Sequence, residues 1–255
     1  MGDCLKNVRV ESDLIGAMEV PADALYGVQT LRGIENFPIS SFHLNDYPLF
    51  INGLAMTKLA AAEANHQLGL LTDEQFNAIS QACREILAGQ HHEHFPVDMI
   101  QGGAGTTTNM NANEVIANRA LQIMGFPLGK YKHCSPNDHV NCSQSTNDAY
   151  PTAIHLGLYA THLEFMKHFE LLIKSFEAKA EEFKDILKMG RTQLEDAVPM
   201  TLDPLPVARK ILRMPVRVHI PWHQGKQLMC GVRRSYHQEP HIPNHHQRTH
   251  LPDSY

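Results

Sequence analysis

Apolar residues recur at helical spacing along most of this 255-residue chain, in blocks separated by polar or glycine-rich breaks. Leu54, Ala55, Leu59 and Ala62 predict a helix over 48–68, opened by Pro48 at a first-turn position where a missing N–H breaks no hydrogen bond. Thr72, with Gln75 three residues on, forms a capping box, so a second helix is predicted from 72 to a stop at Gly89. A third is predicted from about Asn111, with Glu114 three residues later, to a stop ahead of Gly125 and Pro127. The fourth is longer. From Tyr159, the positions Leu163, Met166, Phe169, Ile173, Phe176, Ala180, Phe183 and Leu187 follow steps of three or four, near the 3.5-residue period of a bundle seam. With a polar start at 145–148 this helix spans roughly 40 residues, or about 60 Å at 1.5 Å per residue. Such a seam needs partner helices to bury it, and the predicted fold class is mostly all-α. Between Pro21 and Pro38 the mixed polarity predicts irregular chain with short extended pieces.

The periodicity stops near Leu202. Residues 203–255 hold eight Lys/Arg against three Asp/Glu, a net +5, with seven histidines, seven prolines and the only tryptophan, Trp222. The 202 residues before them hold 14 against 24, a net −10. Three regions follow: a helical domain over 1–144, the start of a central helical bundle over 145–202, and a basic tail over 203–255. The tail is predicted to be disordered or translated out of frame. Its arginines have no aromatic interleaving and no helical stripe, which argues against a nucleic-acid partner. No apolar run approaches the roughly 18 residues of a membrane span, and residues 1–10 are no secretory signal. The five scattered cysteines, odd in number and without a CxxC pair, read as reduced thiols of a cytoplasmic protein. His237, His241, His245 and His246 lie in a proline-broken stretch, and the run from His91 to His94 reads as a solvated loop before Phe95. No metal is expected.

Three polar segments carry the candidate chemistry: 103–110 (GAGTTTNM), 144–148 (QSTND) and 190–201 (GRTQLEDAVPMT). Gly102, Gly103 and Gly105 let backbone approach a ligand, and Thr106, Thr107 and Thr108 follow. Ser145 reads as the N-cap of the long helix, so Ser145, Thr146 and Asn147 sit where free N–H groups and the helix dipole favour an anion. Gly190 reads as that helix's stop, leaving Thr192 and Gln193 exposed beyond it. Hydroxyl and amide donors suit a small dianion without the desolvation cost of buried cations. The second and third segments lie at opposite ends of one helix. They share a site only between copies packed antiparallel.

Four stretches go further: 20–37 (VPADALYGVQTLRGIENF), 95–120 (FPVDMIQGGAGTTTNMNANEVIANRA), 136–151 (PNDHVNCSQSTNDAYP) and 186–202 (ILKMGRTQLEDAVPMTL). They resemble the fumarase/aspartase superfamily, and the resemblance covers about residues 8–202. Gln193 after Gly-Arg-Thr, Thr146, Ser135 before Pro-Asn-Asp, and the YGVQTLR stretch over 26–32 resemble its aspartate ammonia-lyase branch more than its fumarases. The resemblance implies reversible elimination of ammonia from L-aspartate to give fumarate, by a general base and through an aci-carboxylate, without an organic cofactor. It implies a homotetramer. It also implies that Thr106, Ser145, Thr146, Asn147, Thr192 and Gln193 hold the carboxylates and the amino group. Arg32 is either a carboxylate clamp or half of a surface salt bridge, and His139 is structural in this motif.

The sequence also departs from the family. The serine base of the family sits on a Gly-Ser-Ser loop that these 255 residues do not contain, and no Lys-x-Asn follows Met214-Pro215. After Leu202 the family's Gly-Gln-Glu-Phe is replaced by Asp203-Pro204-Leu205-Pro206. No catalytic residue is therefore identified, and the polypeptide alone is expected not to deaminate aspartate. Its unpartnered seam is expected to cause aggregation or dependence on a chaperone. Two alternatives remain: a class II fumarase-like hydratase, and a non-catalytic subunit that joins an intact lyase through the long helix.

Overall fold

The computed structural model describes residues 7–101 and 103–202. Gly102 and the tail, with the expectations attached to them, lie outside the described residues. The chain opens with an antiparallel hairpin, β1 (Val8–Ser12) and β2 (Ala17–Pro21). Five α-helices follow: α1 (Val28–Asn36), α2 (Pro48–Gln67), α3 (Asp73–Leu87), α4 (Thr106–Ile123) and α5 (Thr146–Phe183). A second hairpin, β3 (Leu187–Thr192) and β4 (Glu195–Thr201), closes the described part.

Helices α2 and α3 sit where the periodicity puts them. Thr72 Oγ1 accepts from the Gln75 N–H and Gln75 Oε1 accepts from the Thr72 N–H, each at 3.2 Å, so the capping box is complete. The core lies between α2, α3 and α4, where Ile51, Leu54, Ile79, Ile86, Val115, Ile116 and Leu121 are buried. Helix α4 is covered on nearly every side, polar residues included.

Several expectations are corrected. Residues 28–36 form α1, not irregular chain, although α1 has no side-chain cap of its own. Its N-terminus is capped from across the domain. The buried Glu114 carboxylate accepts from the N–H groups of Gly27, Gln29 and Thr30 at 2.8, 2.9 and 3.0 Å, and from the Thr30 hydroxyl at 2.6 Å. Glu114 is thus a mid-helix residue serving another helix, not a helix-start residue. Helix α4 itself starts at Thr106, well ahead of Asn111. Gln101 makes this possible, its side-chain oxygen taking the Thr108 N–H at 2.9 Å. The run from His91 to His94 contains a 3-10 turn, His92–His94, tied to α3 and α4.

Helix α5 ends at Phe183, and the third polar segment is a hairpin. Gly190 is no helix stop; it lies buried within β3, where an added Cβ would meet Met200 and the Val198 carbonyl. Gln193 and Leu194 form the two-residue turn with φ of 50° and 67°. Two successive left-handed residues match the twist of the flanking strands. The sequence carries no Asn-Gly or Asp-Gly there to announce it.

The start of α5 packs on α2 through small residues. An added Cβ on Gly53 would run into the Ala153 carbonyl, and one on Gly157 would meet the Phe50 and Leu49 backbone at 3.0–3.1 Å. Further along, Leu158, Tyr159, Leu163, Phe165, Leu171, Leu172 and Phe176 are 39–60% exposed. The predicted seam is only partly exposed: Leu163 and Phe176 are exposed, Met166, Phe169, Ile173 and Phe183 are half-buried, Ala180 is buried, and Leu187 lies in β3 instead of on α5. No described helix is long and apolar enough to cross a membrane.

Candidate functional site

Two helix N-termini meet beside one another, and both come from the polar segments. Gly105 is the N-cap of α4 with φ +91°, and an added Cβ would strike the Tyr150 ring of α5. Glycine is required twice over, for its left-handed backbone and for the ring packed against it. Thr106 occupies the first turn of α4, its hydroxyl donating to the Gly103 carbonyl at 2.6 Å. Ser145 is the N-cap of α5, its hydroxyl accepting from the Asn147 N–H at 3.2 Å. Asn109 joins the two helices by donating to the Thr146 hydroxyl at 3.2 Å. Thr106, Ser145, Thr146 and Asn147 are thereby gathered at one place, where first-turn N–H groups and two dipoles favour negative charge.

Behind them lies a residue that the sequence reading missed. Lys58 of α2 is fully buried, and its ammonium donates to Asn141 Oδ1 at 2.9 Å and Gln144 Oε1 at 3.0 Å. Asn141 Oδ1 also accepts from Asn109 at 3.1 Å, so one chain of contacts links Lys58, Asn141, Asn109 and Thr146. Asn65, two turns along α2, donates to the Cys142 carbonyl at 2.8 Å and pins the same loop. Burial pushes the Lys58 amine down from 10.5 to about 7, so a cationic charge is available close to the anion-favouring ends but is held at a cost. A signal did exist. Ile51, Leu54, Ala55, Lys58, Ala62 and Asn65 fall at helical steps on one buried face, so Lys58 and Asn65 occupy core positions.

The other candidates lie elsewhere. Arg32 is closed onto Asp13, with Nε and Nη2 donating to its two carboxylate oxygens at 2.9 Å each, and Nη2 also to the Gly16 carbonyl at 3.0 Å. The guanidinium holds the Asp13 carboxyl down at about 2. Of the two roles open to Arg32, the geometry is that of the salt bridge. Thr192 and Gln193 are exposed on the β3–β4 hairpin, past the far end of α5, about 57 Å of helix rise from Ser145. One chain does not bring them to the other four. The His139 ring accepts from the Ser135 N–H at 2.8 Å and faces Gln75 at 3.2 Å, inside a cap of the 136–140 turn.

A family model described as "Lyase" matches residues 16–207. The chain belongs to this lyase family. The match runs slightly past the change of composition near Leu202. As a lyase-family chain it is 59% identical over 194 residues to an aspartate ammonia-lyase of Pseudomonas aeruginosa, covering 76% of this chain and 41% of that protein. It is 54% identical over 197 residues to the aspartate ammonia-lyase of Escherichia coli K12, covering 77% and 41%. Its fold is similar to the crystal structure of a fumarate lyase:delta crystallin from Brucella melitensis in native form, with a TM-score of 0.76 and 49% identity over 81% of this chain and 48% of that one. The lyase chain thus spans about two fifths of the length of the curated relatives it matches.

Proposed function

We propose that this lyase chain provides the substrate-carboxylate site of an aspartate ammonia-lyase, a carbon–nitrogen lyase that converts L-aspartate reversibly into fumarate and ammonia. The observation that carries this reading is the meeting of the α4 and α5 N-termini at the Asn109–Thr146 hydrogen bond. The site there offers hydroxyls and amides to a small dianion, with the Lys58 ammonium behind them.

In the reaction a base takes the C3 proton, the freed electron pair forms the C2–C3 double bond, and the C2–N bond breaks as ammonia leaves. Charge passes through the carboxylate next to C3 as an aci-carboxylate with two negative charges. Donors aimed at that carboxylate lower the barrier most, because they act on charge that exists only in the transition state. Ser145, Thr146, Asn147 and Thr106 have that role here, and Asn109 orients Thr146. Thr192 and Gln193 complete the site from a second copy packed antiparallel along α5, in a homotetramer. The bare apolar stripe on α5 gives such copies a surface to bury. The buried free thiols of Cys83 and Cys134 fit a reducing, cytoplasmic setting.

Gln193 has no titratable proton acceptor, and among the described residues the hydroxyls of the site have no activating partner. The 255-residue polypeptide alone therefore forms no fumarate from aspartate. Titrating fumarate while following amide resonances tests the binding role directly. The signals of Thr106, Thr146 and Asn147 should move together, and Thr146→Val should abolish the movement. Shifts spread over the surface, or unchanged in the variant, would refute the site. Fumarate production by the purified chain, free of host enzyme, would refute the inactivity.

The bare α5 stripe also favours a second reading, a non-catalytic subunit that assembles with an intact lyase. Co-purification with such a lyase supports it, and a chain that stays monomeric in the presence of one counts against it.

A further inference from the structure

The strongest feature outside that site is the turn after α3. One ring nitrogen each of His91 and His94 and one Glu93 carboxylate oxygen lie within 4.8 Å of one another. We propose that His91, Glu93 and His94 form a binding site for a borderline-soft divalent cation of the Zn²⁺ class.

The donor set fits that class. Two imidazoles and one carboxylate are ordinary zinc ligands, and a fourth position is left for water. Donors around a tetrahedral zinc at about 2.0–2.2 Å stand roughly 3.3–3.6 Å from each other. The Glu93 oxygen and His94 Nε2 are already 3.5 Å apart. The His91 ring has to close on the other two by about an ångström, and the exposed Glu93 side chain can move to meet it.

The turn is built, not loose. His91 holds a left-handed backbone with φ +66°, unfavourable for a residue with a Cβ, and the His94 N–H closes the turn onto its carbonyl at 3.1 Å. Asn111 of the central helix α4 donates to the His94 carbonyl at 3.0 Å, and the next residue, Phe95, is buried in the core. Glu85 stands 3.1 Å from His91 Nε2 and is itself fixed by Arg119, at 2.6 and 3.1 Å, so an anchored side chain orients the first histidine. His92 does not belong to the group: no ring nitrogen of it lies with the other three donors, and its Nε2 faces the Ile86 carbonyl at 2.9 Å.

The test must separate this turn from the histidines of the tail, so it is read residue by residue. The full chain is carbethoxylated at increasing Zn²⁺, and modification at each histidine is measured by peptide mass spectrometry. His91 and His94 should become protected together, at one midpoint, while exposed His168 on α5 becomes protected only at far higher Zn²⁺. His94→Ala should raise the His91 midpoint at least tenfold, Glu93→Gln should raise it for both, and His92→Ala should leave it alone. Separate midpoints for His91 and His94, protection no earlier than at His168, or a His91 midpoint indifferent to His94→Ala would each overturn the proposal. The wild-type footprint decides the first two even where a variant misfolds.

Discussion

Replacing Lys58 with methionine keeps most of the side-chain volume and removes the buried amine. The folded amine titrates at about 7 against 10.5 for an ordinary lysine, because burial disfavours its charge. Between those values the unfolded chain carries a proton that the folded chain has given up. The unfolded state binds more protons, so stability rises with pH across this window. Below about 7 both states are protonated and the cost of burying the charge is present in full, roughly 5 kcal/mol at the limit set by those two values. From pH 7 to pH 9 the wild-type chain should gain about 2 kcal/mol from this group alone. Lys58→Met has no such group. It trades the burial cost for an unpartnered Gln144 Oε1, worth roughly 1–3 kcal/mol and independent of pH. The difference in stability, wild type minus variant, should therefore climb by about 2 kcal/mol between pH 7 and 9. Buried Cys83 and Cys134, each pushed up to about 12 in the fold, are common to both chains, so their own pH dependence cancels in the difference. Urea unfolding followed by circular dichroism at pH 7, 8 and 9 measures the difference. A flat difference would mean that Lys58 is hydrated and does not hold Asn141 and Gln144 as an enclosed charge.

Other consequences are as direct. Gly53→Ala in α2 should destabilise the chain by about 1–3 kcal/mol, since its Cβ meets the α5 backbone; helix propensity alone would stabilise it by about 1 kcal/mol, so the sign in a thermal melt decides. Glu114→Gln should cost about 2 kcal/mol, because an amide cannot accept from all four α1 donors with its NH₂ group facing them. Hydrogen exchange should show residues 28–36 opening first, and uniform loss of protection would contradict the capping role. A chain carrying Leu163→Glu, Leu171→Glu and Phe176→Glu should stay in solution at concentrations where the wild type aggregates, because all three side chains are exposed. Equal sedimentation of the two would show that the α5 stripe does not drive association. The same variant is a suitable background for the Lys58 titration.

Much of the fold was legible because its signals are local. The capping box at Thr72, the first-turn Pro48, the Ser145 N-cap and the α5 period each involve residues within a few positions of one another. The errors fall where the deciding contact or backbone conformation leaves no marker residue beside the element. Helix α1 depends on Glu114, more than eighty residues away, and α4 starts early because Gln101 reaches back over its first turn. The β3–β4 turn places Gln193 and Leu194 in left-handed backbone with no glycine to mark it. Lys58 was overlooked because a single lysine in an apolar helix usually snorkels to solvent, and only the folded packing shows it enclosed.

The amino-acid order by itself determined the positions of α2 and α3, the start and period of α5, the clustering of hydroxyl and amide residues in three segments, and the lyase resemblance, since periodicity, caps and motifs are properties of neighbouring residues. Tertiary structure alone decided which segments meet. It joined 103–110 to 144–148 through Asn109 and Thr146, sent Thr192 and Gln193 to the far end of a 38-residue helix, and closed Arg32 onto Asp13. It also enclosed a lysine behind the two helix ends. Those outcomes depend on side chains distant in sequence competing for the same hydrogen bonds and the same buried volume, and no local pattern records who wins.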